Sequence, residues 1–139
     1  MSDNLIGHKA VLSLAGARRV LAAAEAEAIR QGWPVVIAVV DDGGHPLCLA
    51  RLDGAQHGSV EVALAKARAA VAFKRPTRAW SEALGGGRLN VLGLPGVLPA
   101  EGGLPILHQG QIVGAIGVSG VQPHEDGQVA QAGSAVNLA

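Results

Sequence analysis

The chain of 139 residues carries 11 basic and 11 acidic side chains, one cysteine, two tryptophans, one phenylalanine and no tyrosine. That balance leaves no basic field to hold a nucleic-acid backbone and almost no rings on which to stack bases. A single cysteine excludes a disulfide framework and any multi-cysteine metal site. No apolar run reaches the length of a membrane span. The length suggests one domain, 1–139, with a core built from Val, Leu, Ile and Ala. No basic region followed by an apolar run opens the sequence, so the cytoplasm is the expected location. A charge-neutral surface also favours self-association.

Met1 to Val11 reads as a lightly attached start. Ser13 can cap a helix over Leu14–Arg30, with Leu14, Ala17, Leu21, Ala24 and Ala28 as its core stripe. Gly32 and Pro34 stop it: glycine accepts the left-handed cap and proline cannot continue a helix. VVIAVV, Val35–Val40, is a β-branched run that fits a central strand covered on both faces. Asp41 to Gly44 is a turn, and His45–Arg51 returns as a second strand. Cys48, between Leu47 and Leu49, reads as packing rather than as a reactive thiol.

Ser59 to Phe73 follows as a helix. At 3.6 residues per turn Glu61, Ala65, Arg68 and Ala72 form its water face. Lys66 instead lies in an apolar row with Ser59, Val62, Ala63, Ala70 and Phe73. An unpaired buried ammonium is too costly to keep, so Lys66 must reach a partner or a cavity mouth. Pro76 breaks this helix, and Thr77 can cap a short one through Leu84. Gly85–Gly103 is a long glycine-rich loop that contains Leu89, Val91, Leu92, Leu94, Val97 and Leu98, too much apolar surface for a solvated linker, and is expected to cover a pocket or a neighbouring subunit. Leu104–His108 and Gln111–Val118 form a second hairpin around Gln109-Gly110. Gly114 and Gly117 mark close backbone approach. Pro123–Ala135 is a last helix, with Glu125 and Asp126 near its positive end. The order α-β-β-α-α-β-β-α, with strands in hairpins, predicts an α+β fold: a mainly antiparallel sheet with helices on its faces.

Four ordered motifs carry a family resemblance: VVDDGGHPLCLARLDGAQHGS, ALAKARAAVAFKRPT, EGGLPI, and GAIGVSG followed by Asp126. From about Ser13 to the end the chain resembles the GlcG/HbpS family, the haem-binding or haem-degrading domain that also forms the C-terminal part of PduO-type proteins. The resemblance implies a profilin-like antiparallel sheet, an oligomer, and haem or a related tetrapyrrole as ligand, with no other cofactor. It also implies a setting in the catabolism of small carboxylic acids, and it predicts fold better than activity.

The residues offer several candidate groups. Lys66 can hold a carboxylate or propionate, or act as a base if its pKa is depressed; the alternative is an internal ion pair with Asp41 or Asp53. Arg51 has a fork that suits a carboxylate, against a salt bridge to Asp53 or Asp126. His57, ahead of the Lys66 helix, is a candidate haem ligand or acid/base group. His45 and His108 sit by hairpin turns and are expected to face water. No pair of histidines has the spacing of a helical metal site, so no metal ion is expected. Arg75, Arg88 and Glu101 flank the long loop; if it lids a pocket, Arg88 and Glu101 would touch the ligand, the alternative being loop solvation or subunit contact. Gly102 and Gly103 could present N–H groups to an anion. Ser119 lies in GVSG, which is not the hydrolase elbow, and reads as a strand terminator.

Three functions compete on these grounds. The first is a small-ligand-binding, oligomeric domain with haem as the named ligand. The second is an enzyme acting on a small unsaturated carboxylate: a tautomerase, isomerase or hydrolytic dehalogenase. There Arg51 or Arg88 would clamp the acid, and Lys66, His57 or Glu101 would move a proton. The third is a structural partner of a catabolic enzyme, docking through the apolar loop.

Overall fold

The computed structural model describes residues 4–139. Helix α1 runs Leu14–Gln31, strand β1 Val36–Asp41, β2 Pro46–Arg51, helix α2 Ser59–Ala72 and α3 Arg78–Gly85. A 3₁₀ turn follows at Leu89–Gly93, then β3 Gly103–His108, β4 Gln111–Ser119 and α4 Pro123–Ser134. The four strands pair antiparallel in the order β2-β1-β4-β3. This is the α+β sheet with flanking helices expected from the element order. Among the described residues no helix is long and apolar enough to cross a membrane.

Local chemistry sets the boundaries. The Ser13 hydroxyl accepts the Gly16 N–H at 3.0 Å and caps α1, and Gly32 closes the helix at φ 75°. Gln109 and Gly110, at φ 50° and 77°, turn β3 into β4, the paired left-handed geometry of a tight hairpin. Gln122 and Glu125 form a capping box at the start of α4, which satisfies two N–H groups there.

The sheet has two different faces. On one, Ile37 and Val39 of β1 lie beside their partners Val118 and Ile116 of β4. These pack with Val20, Ala24 and Ala28 of α1 and with Val129 and Ala130 of α4. Burying each isoleucine there stabilises the fold by about 1.5–3 kcal/mol. On the other face Val36, Ala38, Val40 and Ala115 meet Ala63, Ala67 and Ala70 of α2. Small residues on both sides let α2 sit low. A Cβ on Gly117 would collide with the Ala63 carbonyl and stand 3.0 Å from the Ala67 Cβ. The close approach expected at Gly117 is therefore made by α2.

Three expectations need correcting. Leu14 is 43% exposed; the buried stripe of α1 is Ala17, Val20, Ala24 and Ala28. Val62 is 37% exposed, on the outer flank of α2. Thr77 makes no side-chain cap to α3; its Oγ1 accepts the Gly103 N–H at 2.9 Å instead. The 85–103 segment buries Val91 but leaves Leu89 and Leu92 well exposed.

Candidate functional site

Lys66 points inward as its helical position requires, and its side chain is 3% exposed. Its Nζ donates to Asp126 Oδ2 at 3.0 Å and to the Val118 carbonyl at 2.9 Å. The internal partner is thus Asp126, not Asp41 or Asp53. The other oxygen of Asp126 accepts the Val121 N–H at 3.1 Å. Burial pushes the Asp126 carboxyl above its ordinary range, and the Lys66 ammonium offsets this only in part.

The lysine reaches this place because two backbone features make room. Val118 donates its N–H to the Gly102 carbonyl at 2.9 Å. A regular antiparallel pair would return a second bond from the glycine to the Val118 carbonyl. Gly102 is at φ 134°, and the ammonium takes that acceptor. A Cβ on Gly102 would stand 2.8 Å from Nζ. Lys66 therefore braces α2, β4 and α4 together at the point where β3 begins.

The other candidates are dispersed. Gly103 N–H is used by Thr77 and so is not free to form an anion nest with Gly102. Glu101 is half-buried, with its carboxylate against α4, where a Cβ on Gly127 would meet it. Arg51, His57 and Arg88 are exposed. Among the described residues Arg51 makes no salt bridge to Asp53 or Asp126. Ser119 ends β4 and donates to the Ser59 hydroxyl at 3.2 Å. Burial raises the Cys48 thiol pKa, in keeping with a packing role. No group of three or more metal-ligating side chains occurs among the described residues.

Five surface clefts stand out, and none of the predicted site residues lines any of them. Three run on from one another around the β3–β4 hairpin. The first, about 330 Å³, has His108 among the apolar walls Val11, Leu12, Val113 and Leu138. It shares Ala10 with a second, at the hairpin tip, that is lined by Lys9 and Lys74. That one shares Lys74 and Ile112 with a third, which also has Arg75 at its edge. His108 is half-buried rather than in open water.

Residues 12–135 match the family model described as haem degrading protein HbpS-like. The chain belongs to the HbpS-like family. Protein GlcG of Escherichia coli strain K12 is 41% identical to this HbpS-like chain over 111 residues, 80% of the chain and 83% of GlcG. The crystal structure of Klebsiella pneumoniae protein ORFY superposes with a TM-score of 0.90 at 30% identity, covering 99% of this chain and all of that one. The crystal structure of a PduOC:haem complex gives 0.82 at 29% identity, over 92% of this chain and 96% of that one.

Asp126, His108 and Arg75 hold places that the sequence does not assign them: it offers Asp126 as a partner only for Arg51, sets His108 facing water, and gives Arg75 only as a flank of the long loop. Asp126 alone left a signal. With Val129, Ala130 and Gly133 it forms the buried stripe of α4, and a charge on such a stripe needs a partner just as Lys66 does.

Proposed function

We propose that this HbpS-like chain is a small-ligand-binding domain that takes haem or a related tetrapyrrole. The observation that carries the reading is the likeness to the PduOC:haem complex over nearly the whole chain. The donor set around the hairpin fits the group: a half-buried imidazole at His108 between aliphatic walls, with Lys9 and Lys74 in the adjoining cleft. Imidazole is a common iron ligand, aliphatic side chains suit the face of a macrocycle, and ammonium groups suit its propionates. His108 would hold the iron; Lys74, and Lys9 on exchanging its ion pair with Asp42, would hold the carboxylates. Bound haem would supply an iron centre, and the chain would supply ligation and partial exclusion of water.

The domain is also expected to self-associate, since Leu89 and Leu92 are 69% and 64% exposed on one short 3₁₀ turn.

Haem titration tests the ligand. A saturable Soret shift that is lost or displaced in His108→Ala, with His57→Ala behaving as the parent, is the expected result. No Soret change at tens of micromolar haem would remove the reading.

A further inference from the structure

The cleft at the end of α2 has an unusual balance of charge and apolar surface. Its volume is about 430 Å³, within the range of small-molecule sites. Leu104, Pro105, Leu107 and Ile112 give it an apolar floor, Lys74 and Arg75 stand at its edge, and no acidic residue among those described lines it. In a chain with as many acids as bases, two cations with no acid beside them make a locally positive field.

Arg75 is held in place before any ligand arrives. Its Nε donates to the Phe73 carbonyl at 2.9 Å. Its guanidinium lies 4.8 Å from the ring centroid of Trp80, and Phe73 meets that ring edge-on at 5.4 Å. One nitrogen and one face are thus fixed. The two terminal nitrogens have no hydrogen-bond partner among the described residues. A guanidinium set this way presents a fork that matches a carboxylate and loses little freedom on binding. Lys74 also lacks an ion-pair partner among the described residues.

We infer that this cleft binds a carboxylate that carries an apolar body, with Arg75 and Lys74 on the acid and the Leu104–Ile112 floor under the body. This goes beyond the haem reading, which places the iron in the cleft of His108. A free small acid and the propionate edge of a tetrapyrrole share the chemistry, and the two are separable.

Trp80 is the reporter. Trp33→Phe leaves it as the one tryptophan. In that background benzoate should change the emission saturably, while benzyl alcohol, which lacks the charge, and acetate, which lacks the ring, bind at least tenfold more weakly. Amide shifts of residues 104–112 should move with the same curve. In Arg75→Met, with unchanged circular dichroism, those shifts should report an affinity about tenfold or more lower, the scale of a lost charged hydrogen bond. Lys74→Met should weaken binding in the same direction. No saturable response to benzoate, or the same affinity in Arg75→Met, overturns the proposal. Haem titration of Arg75→Met names the source: weaker haem assigns the propionates, and unchanged haem with weakened benzoate assigns a free acid. Failure of haem to bind at all leaves the benzoate result standing, so the two readings fail separately.

Discussion

Lys66 Nζ stands 3.0 Å from Asp126 Oδ2 across 60 residues of sequence, and both side chains are 3% exposed. A pair this deep costs much to desolvate and more to break, because removing one partner strands the other. Lys66→Met is therefore expected to lose about 3–5 kcal/mol of stability. Lys66→Met with Asp126→Leu should regain most of that loss, since the stranded charge is gone. Urea unfolding of the two single variants and the double variant measures the coupling. A loss below about 1 kcal/mol in the single variant would mean that water reaches the pair.

Glu27 makes the opposite kind of carboxylate. Arg30, then Gln128 and Gln31, hold its pKa down to about 2, and the Gln128 bond, at 2.8 Å, ties α1 to α4. A lowered folded pKa gives stability that is complete above the ordinary value of 4.5 and fades as pH falls toward 2. Asp126, raised from 3.8, has the reverse sign: its share is complete below 3.8 and declines as pH rises through the folded value. Glu27→Gln should accordingly flatten the loss of stability between pH 4.5 and about 2.5. Urea midpoints at those two pH values check this; an undiminished acid loss in the variant would assign it elsewhere.

Gly102 tests the lane through which the lysine passes. Alanine there would set a methyl 2.5 Å from the Val118 oxygen and 2.8 Å from Nζ, at a φ of 134°. We expect Gly102→Ala to cost about 2–4 kcal/mol, through strain and displacement of the ammonium. Gly58→Ala meets no heavy atom within 4 Å and should stay within about 0.5 kcal/mol of the parent. Equal melting temperatures for the two variants would show that β3 can start elsewhere.

The exposed leucines give a prediction about mass. Light scattering should find the parent larger than one chain. Leu89→Glu with Leu92→Glu should shift it toward the monomer without loss of helix signal, because Val91, the buried anchor of that turn, is untouched. A monomeric parent would leave these leucines for another partner.

Periodicity made most of the fold legible. The β-branched run of β1, the glycine and proline stops and the Gln-Gly hairpin all act within a few residues, so the sequence displays them directly. The inward aim of Lys66 was readable for the same reason. Its partner was not, because Asp126 at the start of α4 looks like an ordinary complement to the helix dipole. Only its spacing from Val129, Ala130 and Gly133 marked it as buried. Thr77 misled in the same way: its hydroxyl was available for a local cap, and tertiary structure gave it to Gly103. His108 and Arg75 depend on which surfaces meet around a hairpin, and one-dimensional spacing holds no record of that.

The ammonium at the Val118 carbonyl has a bearing on how the edge strand finds its alignment. Sliding β3 along β4 by two residues keeps every side chain on its proper face, so hydrophobicity alone does little to forbid it. Either slide would bring Ala100 or Leu104, each with a Cβ, to the position where only Gly102 leaves space for the lysine. The buried charge thus works as a locating pin, and misaligned versions of the sheet are rejected by the cost of an ammonium with nowhere to go.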